Sequence, residues 1–240
     1  PKGQPLNLSK DKTKPKFVYR NDAIDWVTPY AGKLTYTTAS GETKIAEVKE
    51  VPESIDLSNS WEVSFPLNSE ISKKETFNEL ISWTDVKDEA IQHFSGTATY
   101  KKEFTISNEI LQPNKSLVLD LGSVAVIAEI IINGKNAGIL WKSPFRTKIN
   151  DYLKEGKNTL EVKVTNLWSN KLIGDEKLPL DYPRKGKRSS PLPEWLHYRI
   201  ERSSERSTFV SWNHYSKKDK LKTSGLLGPV KINISIKKQL

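Results

Sequence analysis

Residues Thr159 to Asp175 read TLEVKVTNLWSNKLIGD, and their first half decides the fold. Leu160, Val162 and Val164 alternate with Glu161, Lys163 and Thr165. A period of two puts the apolar side chains on one face of a strand and the polar ones on the other, as in a sheet with one buried face. The alternation then stops at Asn166, and a wet aromatic cluster follows: Asn166, Trp168, Asn170 and Asp175. The strand therefore leaves its sheet at this point.

The same period recurs on both sides of this stretch. Trp61 to Phe65, Thr97 to Ile106, Leu117 to Leu121, Val124 to Ile132 and Val230 to Ile236 all read as strands separated by turn signals. Asn133-Gly134 supplies the positive φ angles of a tight hairpin between Val124–Ile132 and the following GILW, Gly138 to Trp141. DYLKE, Asp151 to Glu155, makes about one helical turn, bracketed by Asn150 and Asp151 in front and Gly156 behind. A second short helix is expected over Glu75 to Trp83. With no βαβ alternation, the sheets are antiparallel and the fold is an all-β sandwich.

The first fifty residues differ: a Lys-rich lead, FVYR, a turn at Thr28-Pro29, and a hairpin turning at Ser40-Gly41. Pro52 marks a boundary. Residues 1–52 form a small N-terminal β extension, either an accessory segment or the tail of a preceding domain, and residues 53–240 form the main sandwich.

At 240 residues the chain is long enough to bury a sizeable core. It has no cysteine, which excludes disulfides, thiolate metal sites and cysteine nucleophiles. It also lacks methionine and opens on Pro1, as expected of a processed chain or a fragment. The longest apolar run, Val124 to Ile132, is broken by Glu129 and is too short to span a bilayer. Thirty-eight basic against 29 acidic residues give a net charge of +9, concentrated locally at Arg184–Arg188 and Lys217–Lys222. Those runs read either as solvated loops or as an attraction for an acidic polymer. Most charges are spread along alternating strands, so nucleic acid is not the expected partner.

Catalytic signatures are missing. His93, His197 and His214 are scattered, and no HExxH or acidic calcium loop occurs. No cofactor is implied, and a structural calcium is left open. SGLLGPV, Ser224 to Val230, only superficially resembles a phosphate-binding loop. Glycoside hydrolysis needs two carboxylates at a fixed separation; Asp175, Asp181, Glu194 and Glu201 are candidates only in the sense that any charged protein has some.

The seven tryptophans say more. Trp61 and Trp83 adjoin apolar neighbours and belong to the core. Trp141 ends a strand, Trp168 lies between two asparagines, and Trp212 precedes Asn213 and His214. A strand-end indole either offers its flat face to the C–H face of a sugar, with nearby amides bonding the hydroxyls, or folds back to cap the sandwich. Asn166, Asn170 and Asp175 likewise read as sugar ligands or as turn residues bonding their own backbone.

Five ordered motifs carry a family resemblance: DLSNSWEVSF from Asp56, FSGTATYKKEF from Phe94, LDLGSVAVIAEIIINGKNAGILWKSPF from Leu119, LKEGKNTLEVKVTNLWSNKLIGD from Leu153 and SGLLGPVKI from Ser224. From about Asp56 to the end, the chain resembles the sugar-binding domain of family 2 glycoside hydrolases. It resembles more closely the C-terminal β-sandwich of glycoside hydrolase family 106, the α-L-rhamnosidases of pectin-degrading bacteria. The resemblance implies a galactose-binding-like jelly roll, a periplasmic or extracellular location, and a parent enzyme whose catalytic barrel lies upstream. It implies a non-catalytic, carbohydrate-associated role, with an acidic pectic oligosaccharide and the parent's catalytic domain as partners; the alternatives are a purely structural domain packed on a catalytic barrel and a hydrolase in its own right. Asn166, Trp168, Asn170, Asp175, Trp141 and Trp212 are the expected glycan contacts. Lys171 departs from the arginine expected there, and lysine cannot make a planar two-pronged bond to a carboxylate.

Overall fold

The computed structural model describes residues 15–20, 23–66, 72–184 and 192–240. The Lys-rich lead and all but Arg184 of the Arg184–Arg188 run lie outside them. Sixteen strands occur among the described residues. The first eight are β1 (Lys16–Arg20), β2 (Ala23–Thr28), β3 (Gly32–Thr37), β4 (Thr43–Val48), β5 (Ile55–Asp56), β6 (Trp61–Pro66), β7 (Ser72–Phe77) and β8 (Thr97–Ile106). They are followed by β9 (Lys115–Asp120), β10 (Ser123–Ala125), β11 (Ile127–Ile132), β12 (Lys135–Leu140), β13 (Arg146–Lys148), β14 (Gly156–Thr165), β15 (Gly225–Gly228) and β16 (Lys231–Gln239).

Two antiparallel sheets face each other, which is the expected jelly-roll sandwich. One runs β12-β11-β14-β8-β6-β7, and the other runs β1-β2-β16-β9-β13 with β5 also on β16. The alternation that decides the fold becomes a register. Ile130, Val162, Tyr100 and Val63 stand opposite one another across β11, β14, β8 and β6, and all four are fully buried. Leu117 and Leu119 of β9 and Ile232 and Ile234 of β16 enter the same core from the other sheet. At about 1.5–3 kcal/mol for each large apolar side chain removed from water, these rows are the main favourable term of the fold.

β2 pairs with β16, Thr28 opposite Ile236, so the N-terminal strands extend a sandwich sheet. The β3–β4 hairpin pairs only with itself and closes a smaller core of Trp26, Ala46, Val48 and Ile236. Its loop turns at Gly41, φ +84°, and the β11–β12 hairpin turns at Asn133 and Gly134, φ +51° and +77°, both where the sequence places them.

Three expectations are corrected. The turn expected over Asp151 to Glu155 is a 3-10 turn over Asn150–Tyr152 without a side-chain cap, because Asn150 Oδ1 accepts from Leu117 N–H instead. Glu75 to Trp83 is not a helix: Glu75 to Phe77 end β7, which pairs with β6, Phe77 opposite Trp61, and a 3-10 turn occupies only Trp83–Asp85. Cross-strand burial of Phe77 overrides the weak helical pattern of a nine-residue stretch. Val124 to Ile132 is also not one strand. β10 pairs with β15 and β11 with β12 and β14, so the chain changes sheets at Val126. Both halves are apolar because both meet the core, and periodicity does not mark the change.

Candidate carbohydrate-facing site

The end of β14 lies at one end of its sheet, beside the start of β8 (Thr97 opposite Thr165), the start of β11 (Ile127 opposite Thr165) and the end of β12 (Leu140 opposite Ala128). Trp141 is one residue past β12 and Trp168 three past β14, so the register brings two of the expected indoles to the same end. Each is 65% exposed. Lys142 places its ammonium 5.1 Å from the Trp141 ring centroid, a cation–π contact that leaves the other ring face open.

The polar neighbours behave differently. Asn166 continues the β14–β8 ladder, its amide N–H donating to the Gly96 carbonyl (3.2 Å) and its Oδ1 accepting from Gly96 N–H (3.0 Å). Its Nδ2 donates to the Phe94 carbonyl (2.8 Å) and to Ser224 Oγ (3.1 Å). Asn170 lies in the short helix α1 (Ser169–Asp175), where Nδ2 donates to Ser224 Oγ (3.1 Å) and the Lys222 carbonyl (2.7 Å) and Oδ1 accepts from Lys222 N–H. Both amides are buried with both N–H donors engaged inside the chain. Asp175 is buried too, its Oδ2 accepting from Thr208 N–H (2.6 Å) and Oγ1 (2.7 Å), and Lys171 Nζ lies 3.9 Å from its Oδ1. Of the expected contacts, the three polar ones therefore point inward and tie down the 59-residue excursion from Asn166 to Ser224. Trp212, 43% exposed, lies within it, edge-on to His214.

Ser224, which the sequence did not single out as polar machinery, is the hub of this junction. Its Oγ accepts from both asparagines, its N–H donates to Ser82 Oγ (3.1 Å), and its carbonyl accepts from Trp83 N–H (3.0 Å). Beneath it, Tyr100 Oη accepts from Trp83 Nε1 (2.5 Å) and Leu226 N–H (3.1 Å), and burial pushes the phenol up to about 12. Gly225 lies against this pair, where a Cβ would stand 2.6 Å from Trp83 Nε1. These partners of Ser224 lie 54 to 142 residues from it in sequence, so no local pattern reveals them.

The excursion is held by ion pairs. Arg184 grips Glu176 with two parallel bonds (2.9 and 2.8 Å), and Arg206 adds a third (3.1 Å) while also donating to the Pro179 and Leu178 carbonyls. Burial raises the Glu176 carboxyl, but the two guanidiniums outweigh it and hold it below the usual carboxylate range. Asp181 is likewise raised by burial and brought lower overall by Arg202, which donates to it at 2.6 Å and stacks on Trp195 at 5.0 Å. Glycosidase acids require a raised pKa. Every resolved carboxylate shift here, Asp56 and Glu89 included, runs downward. Glu194 and Glu201 are exposed, and the described residues contain no group of three possible metal ligands.

A family model described as glycosyl hydrolase 2 galactose-binding domain-like matches residues 73–204. A protein of Formosa agariphila named "Putative beta-glucuronidase" is 53% identical over all 240 residues, and the chain spans 21% of that relative's length. Among solved structures, a rhamnosidase from Novosphingobium sp. PP1Y shares the fold with a TM-score of 0.59 at 22% identity, over 95% of this chain and 24% of that one. A β-D-glucuronidase of Dictyoglomus thermophilum gives 0.52 at 21% identity, over 79% and 29%. The chain belongs to the glycosyl hydrolase 2 galactose-binding domain-like family.

Proposed function

For a member of that family, we propose a non-catalytic, carbohydrate-associated role within a larger glycoside hydrolase of the glucuronidase or rhamnosidase kind. Family 106 is the finer assignment, an acidic pectic polysaccharide the substrate of the whole enzyme, and the periplasm or cell exterior its location. The observation that carries the reading is the pair Trp141 and Trp168, two indoles left open at one end of a sheet whose asparagines are committed elsewhere. The relative's name supports a uronic glycan.

Calorimetric titration with rhamnose- and uronate-containing oligosaccharides tests it. Saturating heat is expected from the parent chain, with a loss of about fivefold in affinity for Trp168→Ala, since a stacked aromatic contact contributes on the order of 1 kcal/mol. That variant should keep its melting temperature, because Trp168 is exposed. The inward locking of Asn166, Asn170 and Asp175 favours a second reading, a purely structural domain. Absence of heat from a folded parent would select it.

A further inference from the structure

The excursion from Asn166 to Ser224 distributes its side chains opposite to an ordinary solvated loop. Inside lie Glu176, Arg184 and Arg206, the two arginine side chains only 3% and 5% exposed. Outside lie Leu180, Leu192, Leu196, Tyr198 and Ile200, all between 44% and 66% exposed. Among the described residues, eight of the seventeen exposed large hydrophobic side chains fall in this quarter of the chain. Single exposed apolar residues need no explanation, but a group on one compact turn marks an interaction surface.

The turn is compact for a stated reason. Helix α2 (Glu194–His197) ends with Arg199 in the left-handed region at φ 55°, and Ile200 N–H donates back to the Trp195 carbonyl (3.0 Å). That closure folds Ile200 back toward the last turn of the helix. Under it, the Trp195 ring is clamped between Arg202 and Phe209, and its Nε1–H, shielded from solvent, has no acceptor. The charged network has already ordered the backbone, so an arriving partner does not have to.

We propose that the face formed by Leu192, Leu196, Tyr198 and Ile200 is the docking surface for a neighbouring domain of the same polypeptide, which rests on the reading above that the chain is one module of a longer hydrolase. An apolar protein surface fits this face better than a glycan does, because three of its four side chains are branched Leu and Ile, which offer no flat platform beside the single Tyr198 ring, and no side-chain amide stands among them. A tethered domain fits it. In the Formosa relative this sequence accounts for about a fifth of the polypeptide, and a covalent neighbour is present at an effective concentration on the order of millimolar. The exposed charged side chains of this segment are Glu194, Arg199, Glu201 and Glu205, three acids to one base, which calls for a facing surface that is apolar with a mainly cationic border.

Hydrogen exchange over residues 192–200 decides the matter, measured on the isolated 240-residue chain and on the complete polypeptide that carries it. Exchange is expected to slow at least about tenfold in the complete polypeptide. The double variant Leu196→Glu/Tyr198→Glu, both exposed positions, should keep the chain's melting temperature and abolish that protection. Equal exchange in both contexts would overturn the docking surface while leaving the module reading intact. A complete polypeptide no longer than this chain would overturn the module reading itself. Protection that grows with concentration of the isolated chain, with a dimer in sedimentation, would replace the neighbouring domain by a second copy.

Discussion

Tyr100 shows how one hydroxyl serves the core of a sandwich. It stands in the fully buried row with Val63, Val162 and Ile130, and it is the acceptor for two donors that have no water to turn to, Trp83 Nε1–H and Leu226 N–H. Tyr100→Phe keeps the ring and removes the acceptor, leaving each donor to cost about 1–3 kcal/mol. For a chain of this size the melting temperature should fall by about 2–4 °C per kcal/mol. The pH dependence has a definite sign. Burial pushes the folded phenol up to about 12, above the value of about 10 of an unfolded tyrosine. The resulting stability is complete below about pH 10 and is lost as pH rises through 12. The gap between parent and Tyr100→Phe should therefore narrow across that window in alkaline denaturation. A gap constant from pH 8 to 12 would mean that Tyr100 reaches water in the native state.

At the scale of elements, the question is how a 59-residue excursion with two short helices stays ordered on a β-sandwich. Its answer is Glu176 with two arginines, because breaking a buried pair from one side strands the other charges. Glu176→Gln should destabilise the excursion by about 3 kcal/mol near neutrality and open it to proteolysis between Lys177 and Lys222. The folded carboxyl is depressed, so its contribution is present above the ordinary glutamate pKa of about 4.3 and is lost as pH falls through the lower folded value. Parent and variant should thus converge in protease susceptibility below about pH 4. Little of this was legible in the sequence. β8 was readable from end to end and β14 from Thr159 onward, because period two is a local signal. β7 was lost to a false helical pattern, and the sheet change at Val126 left no trace. Trp141 and Trp168 were legible as surface aromatics. The inward roles of Asn166, Asn170 and Asp175 were not, because Ser224, Lys222 and Thr208 come 33 to 58 residues later and only the fold brings them within reach.

The whole molecule carries a net charge of +9, and on the proposed carbohydrate-associated role charge and stacking are two modes of attraction for a glycan that obey different physics. Charge acts over a Debye length of about 10 Å at 0.1 M salt and fades as ionic strength rises. Stacking of an indole on a sugar is short-ranged and nearly indifferent to salt. The charged faces of the sandwich temper the first mode. Lys101 pairs with Glu161 and Lys163 with Glu129 across the strands, so a good part of the outward lysine is neutralised where it stands. The surplus acts as a diffuse field that raises encounter with a polyanion without specifying one. Binding to a polyuronate should therefore weaken several-fold between about 0.05 and 0.3 M salt, while binding to a neutral rhamno-oligosaccharide stays within about twofold. Trp168→Ala should lower both affinities by a similar factor and leave the salt slope of the polyuronate unchanged. If the salt slope disappeared along with Trp168, the indole would be contributing through its neighbouring cations, and charge and stacking would form one site instead of two superimposed effects.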